Sequence, residues 1–293
     1  MTEKIINIVL QILGFIIIPV FAEAVIRKVR ARAQGRKGPP LLQNLYDFQR
    51  LFQKKPVDGP YSGVFCENAP AFTLLASILV WASVLFGWPV MLSIPFFLAL
   101  QRIAMTGYAM ETGTSFGGLG SSREILLFVS AEPVIIMIIL VGQSRLNLDF
   151  SPESVIVGTL FLSAGLVAVL AELARPPFDD PRTHLELTMV HEAMLLEASG
   201  RRLALFDAAY QIKISALLYL LIKLALDHSK LPFAESLPVY AYTLAAFGGT
   251  VFLSALTGYW ESASIRRRWD WVPEIMGLTF LFLLILGTLV KIK

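Results

Sequence analysis

One cysteine, Cys66, and three histidines, His184, His191 and His228, are all that 293 residues offer in soft metal ligands. A single thiol excludes an internal disulfide, and it excludes a thiolate cage for an iron–sulfur centre or a structural zinc. The pair His191-Glu192 points toward a zinc-protease helix, but the second histidine of H-E-x-x-H falls on Leu195. Walker, dinucleotide-binding and nucleophile-elbow signatures are missing as well, so no catalytic residue is assigned. Charge is sparse: 16% of the residues are charged, where soluble domains carry about a quarter. The net charge of +3 gives no reason to expect nucleic acid as a partner.

What is present in excess is apolar sequence, 56% of the chain. Runs of nearly the ~20 helical residues needed to cross a bilayer recur near Ile5 to Ala22, Ala71 to Phe86, Val90 to Met110, Ile125 to Val141, Val155 to Ala171, Leu203 to Leu226, Leu237 to Gly258 and Ile275 to Val290. In lipid the backbone must satisfy its own hydrogen bonds, and continuous runs suit helices rather than the alternating strands of a barrel. The expectation is an all-α polytopic membrane protein of eight transmembrane helices, a single membrane domain over residues 1–293. The first run lacks the short core and small-residue cleavage site of a signal peptide and reads as a retained span.

Basic residues set the orientation. Seventeen Lys and Arg fall on the side of the segment after the first span and five on the other. Both termini are therefore expected on the outer side, with the large loops in the cytoplasm. The first such loop, 27–61, is basic up to Lys37 and then repeats Leu41, Leu45, Phe48 and Phe52 at helical spacing, as an amphipathic helix at the interface or against a partner does. The sequence ETGTSFGGLGSSRE reads as a flexible connector, and Ser121-x-x-Glu124 as a capping box that starts the fourth span. Glu132, followed by Pro133, lies in the apolar part of that span. A carboxylate at mid-span costs about 2.5–3.5 kcal/mol to insert, so it is expected to face protein, water or a partner and is a candidate for proton handling.

The densest charge in the chain is at 172–202, ELARPPFDDPRTHLELTMVHEAMLLEASGRR. Pro176, Pro177 and Pro181 forbid a continuous helix, and Asp179 and Asp180 favour a turn. Thr183-x-x-Glu186 then predicts a capped helix running toward Ser199-Gly200. On such a helix Glu186 and Glu197, eleven residues apart, share a face. Carboxylates held this way relay protons through water, or else they form ion pairs with Arg175, Arg182, Arg201 and Arg202 that hold the loop folded. In the sixth span Lys213 is the better partner for a buried acid; Lys223 lies near the outer end and reads as snorkelling.

Three stretches carry a family resemblance: ARAQGRKGPPLLQNLYDFQRLFQKK at 31–55, SSREILLFVSAEP at 121–133 and ELARPPFDDPRTHLELTMVHEAMLLEASGR at 172–201. They resemble the membrane subunit shared by respiratory complex I and by the membrane-bound group 4 NiFe hydrogenases. Complex I versions typically place a glutamate where Ile26 stands and read E-S-E-L where this chain has His184-Leu185-Glu186-Leu187. The segment from Thr183 to Arg201 is similar to the hydrogenase branch, as in formate hydrogenlyase and energy-converting hydrogenases. The resemblance implies a non-catalytic subunit that joins an electron-transfer arm to ion-moving membrane subunits, in the cytoplasmic membrane of a prokaryote. It implies a proton or ion path through Glu132, Glu172, Glu186, Glu192 and Glu197, to which the reading of the sixth span adds Lys213. It implies a coupling and docking loop of Arg175, Asp179, Asp180, Arg182, His184, His191 and Arg201, with a basic loop at Arg32, Gln34, Arg36, Gly38 and Pro39. This chain is expected to hold no cofactor or metal. The NiFe centre and iron–sulfur clusters would sit in hydrogenase large and small subunits and an iron–sulfur subunit, with antiporter-like subunits and the bilayer as further partners. A complex I subunit with quinone as acceptor, a free-standing ion transporter and a purely structural anchor are the alternatives.

Overall fold

A computed structural model describes residues 2–57, 59, 62–87, 90–143, 152–179, 189–227, 238–265 and 267–292. Ten α-helices lie in these segments: α1 (Thr2–Ala33), α2 (Gln43–Phe52), α3 (Val64–Phe86), α4 (Ile94–Glu111), α5 (Ser115–Gln143), α6 (Pro152–Glu172), α7 (His191–Leu195), α8 (Gly200–Asp227), α9 (Val239–Ala263) and α10 (Trp271–Ile292). No strand occurs among the described residues. Six helices, α1, α3, α5, α8, α9 and α10, are long and apolar enough to cross a membrane. The remaining two predicted runs coincide with α4 and α6.

α8 is the central post, touching α1, α2, α3, α5, α6 and α9. Its Leu217, Leu218 and Leu220 are fully covered, and Tyr219 meets Trp81 of α3 edge to face at 5.3 Å between ring centroids. Trp81 also repairs a defect in α1. Pro19 has no N–H, so the carbonyl of Phe15 one turn earlier loses its helical partner. The Trp81 indole donates to that carbonyl at 3.0 Å. Among apolar helices in lipid, contact is won by close packing rather than by escape from water. α1 and α9 approach closely at Gly258, where an added Cβ would lie 2.6 Å from the Ile26 carbonyl oxygen. Gly258→Leu is therefore expected to pry α1 from α9 and lower stability by about 1–3 kcal/mol, measurable as a fall in the thermal midpoint of the detergent-solubilised protein.

Several local expectations are overturned. The glycine-rich segment is not a flexible connector: only Thr112–Thr114 turns, and α5 already begins at Ser115. Ser121 and Glu124 thus lie inside the helix rather than capping it, and Ser121 Oγ donates to the Gly117 carbonyl at 2.8 Å. The helix expected over Thr183 to Ser199 is reduced, in its described part, to the five residues of α7. Lys223 does not snorkel; its ammonium donates at 2.6 Å to the carbonyl of Val84, in the last turn of α3, where the helix dipole welcomes a cation. α2 forms as expected but turns Asn44 inward and leaves Leu45 and Phe52 exposed, so its predicted apolar stripe is split between the protein and the outside.

Candidate functional site

Two buried charge clusters sit side by side where α6 ends. The first joins four helices. Arg102 of α4 pairs with Glu172 of α6 at 2.5 Å and with Glu124 of α5 at 3.3 Å, and Lys213 of α8 meets Glu172 at 2.8 Å. The Lys213 ammonium also donates to the Glu172 main-chain carbonyl at 3.0 Å. All four residues are buried, so the quartet is two cations against two carboxylates, with no net charge to desolvate. Isolated, any one would be prohibitive in a bilayer; balanced, they are tolerated. Arg102 further lies over the Phe128 ring at 4.5 Å. Arg102 Nε and Nη1, Glu124 Oε2 and Glu172 Oε2 make no hydrogen bond among the described residues. The quartet therefore keeps spare donors and acceptors in its interior.

The second cluster is built around Arg175, three residues beyond Glu172. The helix stops between them because Arg175 is followed by two prolines. Its guanidinium pairs with Glu261 of α9, lies 3.8 Å from Glu23 of α1, and donates from Nε to the Tyr210 hydroxyl at 3.0 Å. Each carboxylate has a second arginine on α1: Arg27 at 2.8 Å from Glu23, and Arg30 at 2.9 Å from Glu261. Burial works against the Arg175 charge, but Glu261, Tyr210 and Glu23 outweigh it and hold the guanidinium above the ordinary arginine range. The clusters are linked twice. Glu172 and Arg175 share one turn of chain, and Lys213 and Tyr210 share one turn of α8, with the Tyr210 hydroxyl donating to the Leu173 carbonyl at 2.9 Å. From outside, the turn is held by the Arg267 amide, which donates to the Pro177 carbonyl at 3.0 Å, and by Phe178 packed on Trp271.

α7 closes this region. Asp179 is fully buried and its Oδ2 accepts from the amides of Val190 at 3.0 Å and His191 at 3.4 Å, serving as the cap that starts α7. His191 then stacks on Tyr210, 4.7 Å between ring centroids. Burial first, and then the cations Lys213, Arg102 and Arg175, push its pKa down to about 3. The imidazole is thus neutral across the physiological range. Because the folded pKa lies below the unfolded value of ~6.5, the unfolded chain binds the proton more tightly. Stability is whole above about pH 6.5 and declines as pH falls toward 3. Replacing His191 by Gln is expected to flatten this acid limb, which thermal unfolding in detergent between pH 7 and pH 4 would show.

The other residues marked in the sequence divide. Glu192 and Glu197 are exposed, and Glu197 lies in a turn beyond α7 rather than on a long helix. The helical face it was expected to share with Glu186 is therefore not formed at its end. Asp180, Arg182, His184 and Glu186 lie outside the described residues. Arg201 donates to the Phe52 carbonyl at 3.2 Å, and Ser199 Oγ accepts from the Val57 amide at 2.8 Å. Between them Gly200, at φ +52°, has the Lys54 and Lys55 carbonyls 2.7 Å from where a Cβ would stand, so only glycine lets the 52–57 segment dock there. Arg32, Gln34 and Arg36 are exposed, Gly38 turns at φ +73° against α1, and Pro39 is half-buried. Glu132 is half-buried on α5, within electrostatic reach of Glu172 and Arg102, and has no hydrogen bond or ion pair among the described residues. Sequence reasoning did not place Arg102, Glu124 or Glu23 in the site. Among the described residues no three His, Cys, Asp or Glu side chains are grouped to hold a metal ion.

The fold and the site define a helical membrane protein with ion pairs buried at one end of its bundle, and comparison with known proteins gives that class a family. A family model described as NADH dehydrogenase matches residues 6–292, and the chain belongs to that family. It is 30% identical over 223 residues to hydrogenase-4 component C of Escherichia coli K12, covering 66% of this chain and 70% of that one. It is 26% identical over 310 aligned positions to a subunit of the NADH-quinone oxidoreductase of Rhodospirillum rubrum, covering 95% and 79%. It also shares its fold with a chain of the membrane-bound sulfane sulfur reductase, an archaeal respiratory membrane complex. There the TM-score is 0.70 at 16% identity, over 100% of this chain and 99% of that one. The chain is thus a membrane subunit of the complex I-like kind.

Proposed function

We propose that this subunit couples a peripheral redox arm of the hydrogenase branch to ion movement in neighbouring membrane subunits, and is not itself catalytic. The observation that carries the reading is Glu132. It is a mid-span carboxylate beside a charge-balanced quartet, without an ion pair among the described residues. On α5 it is followed by Pro133, and the neighbouring Val129 is exposed, so the acid stands near the flank of the bundle. In this reading, redox change at the docked arm shifts the turn that carries Arg175 and Asp179. Arg175 moves with Glu172, the quartet re-pairs, and Glu132 gains or loses a proton that passes to an antiporter-like partner. The chain spans the cytoplasmic membrane of a prokaryote eight times with both termini outside, and its basic loop and coupling loop meet the cytoplasmic arm. The NiFe centre and iron–sulfur clusters belong to partner chains.

The test is Glu132→Gln in the assembled complex. With hydrogen production driven from the cytoplasmic side of sealed vesicles, ions moved per turnover are expected to fall at least tenfold. An unchanged ratio would reject the relay.

A further inference from the structure

The junction of α9 and α10, WESASIRRRWDWVPE at 260–274, carries charge and tryptophan that the two clusters leave unexplained. Its far end forms a clasp. The Arg267 amide on the Pro177 carbonyl and Trp271 on Phe178 hold the start of α10 against the turn that follows α6. Deeper along the bundle the same two helices part. Leu160, Ala164 and Val167 of α6 and Leu278 and Phe282 of α10 line a groove of about 280 Å³, open on its outer side. Two hydroxyls complete the lining, and both are committed within their own helices: Ser163 donates to the Leu160 carbonyl at 2.8 Å and Thr279 to the Ile275 carbonyl at 2.6 Å. An occupant therefore meets apolar surface and no open donor. At 1.5 Å per residue, Leu278 and Phe282 lie ~10–16 Å below Trp271. With Trp271 at headgroup level, that is acyl-chain depth within one leaflet, about 15 Å of the ~30 Å core.

The groove is narrow. Its α6 wall runs ~10 Å from Leu160 to Val167, so the volume corresponds to a cross-section of roughly 28 Å², against roughly 80 Å² for a helix ~10 Å across. It takes a hydrocarbon chain and does not enclose a helix. Above it stand charges of both signs: Arg267, Arg268, Asp270 and Glu274 are all exposed. Arg268 and Asp270 pair with each other at 3.4 Å, whereas the side chains of Arg267 and Glu274 make no ion pair or hydrogen bond among the described residues. Glu274, four residues before Leu278, sits one turn above the groove on its α10 lip. An anionic headgroup would gain Arg267 and be repelled by Glu274. A headgroup with a phosphate and a primary ammonium satisfies both. We infer that α6 and α10 hold a zwitterionic phospholipid of the phosphoethanolamine kind, with one acyl chain in the groove, its phosphate on Arg267 and its ammonium on Glu274. Such a lipid extends the clasp into the bilayer, and its site stands whether or not the quartet relays protons.

The experiment places the assembled complex in phosphatidylcholine vesicles containing a phosphatidylethanolamine with a photoreactive diazirine on one acyl chain, and cross-linked peptides are quantified by mass spectrometry. Labelling is expected between Leu160 and Val167 and between Leu278 and Phe282. Unlabelled phosphatidylethanolamine is expected to displace it about fivefold better than phosphatidylglycerol, the worth of one charge near a membrane surface. Ser163→Phe, which fills the groove from an exposed position, is expected to abolish labelling there, and Glu274→Gln to erase the headgroup preference while labelling remains. Equal or stronger displacement by phosphatidylglycerol would overturn the headgroup assignment. Labelling spread evenly over the exposed faces of α1, α9 and α10 and indifferent to Ser163→Phe would overturn the groove. So would no labelling between α6 and α10, the result expected if a partner chain covers them. The competition uses the unaltered chain, so it decides even where a variant does not assemble.

Discussion

Glu172→Gln is expected to remove coupled ion movement and to cost about 3–5 kcal/mol of stability, the loss that follows when one member of a buried ion pair is deleted. Among the described residues Glu172 is the only anion in an ion pair with both Arg102 and Lys213. With glutamine in its place Arg102 keeps Glu124 and Lys213 keeps the 172 carbonyl, so two cations face a single carboxylate in a site shielded from water. A second change distinguishes architecture from function. In Glu172→Gln with Lys213→Met the quartet shrinks to Arg102 and Glu124, again balanced. Most of the lost stability is expected to return while ion movement stays absent. Thermal unfolding of the purified complex reads the first quantity, and vesicle assays read the second. A double variant that recovers both would show that the quartet only holds helices together; a single variant that loses neither would show that it does not even do that.

The balance of the quartet explains what the sequence hid. Glu124 follows Ser121 by three residues, a local pattern that signals a helix start, and nothing nearby indicates that its partner is Arg102 on another helix. Ion pairs between helices are a property of packing, and packing leaves no trace in spacing along one strand of chain. The spans were legible because a long apolar run has few other fates in lipid. So was the break after Glu172, since prolines act locally. In its described part, from Met189 on, the helix expected over Thr183 to Ser199 is limited to α7 for a non-local reason. Asp179, eleven and twelve residues upstream, reaches the amides of Val190 and His191 and starts α7 there. Farther along, Ser199 and Gly200 are claimed by the 54–57 segment. Glu197 is left exposed by that competition, and the buried glutamates among the described residues turn out to be Glu124, Glu172, Glu23 and Glu261 on four different helices.

Arg175→Gln is expected to reach both clusters, although its side chain belongs to one. Glu261 would keep Arg30 and Glu23 would keep Arg27, but the bond to Tyr210 and the ties from the turn after α6 to Glu23 and Glu261 would go. A loss of about 3–5 kcal/mol follows from the buried carboxylates left underpaired. The more telling quantity is a double-mutant cycle between Arg175→Gln and Lys213→Met. No ion pair or hydrogen bond joins these two side chains among the described residues, so direct contact predicts additivity within about 0.3–0.5 kcal/mol. They are connected through the Glu172 to Arg175 turn and through Tyr210, which bonds Arg175 on one side and the Leu173 carbonyl on the other. If that turn moves as one body, relaxing either end changes what the other end is worth, and a coupling of about 0.5–2 kcal/mol is expected. Measured by unfolding, it tests rigidity; measured by ions moved per turnover, it tests whether that rigidity transmits the redox event. Coupling in the first with additivity in the second would leave Arg175 a structural brace and place transmission elsewhere in the fold.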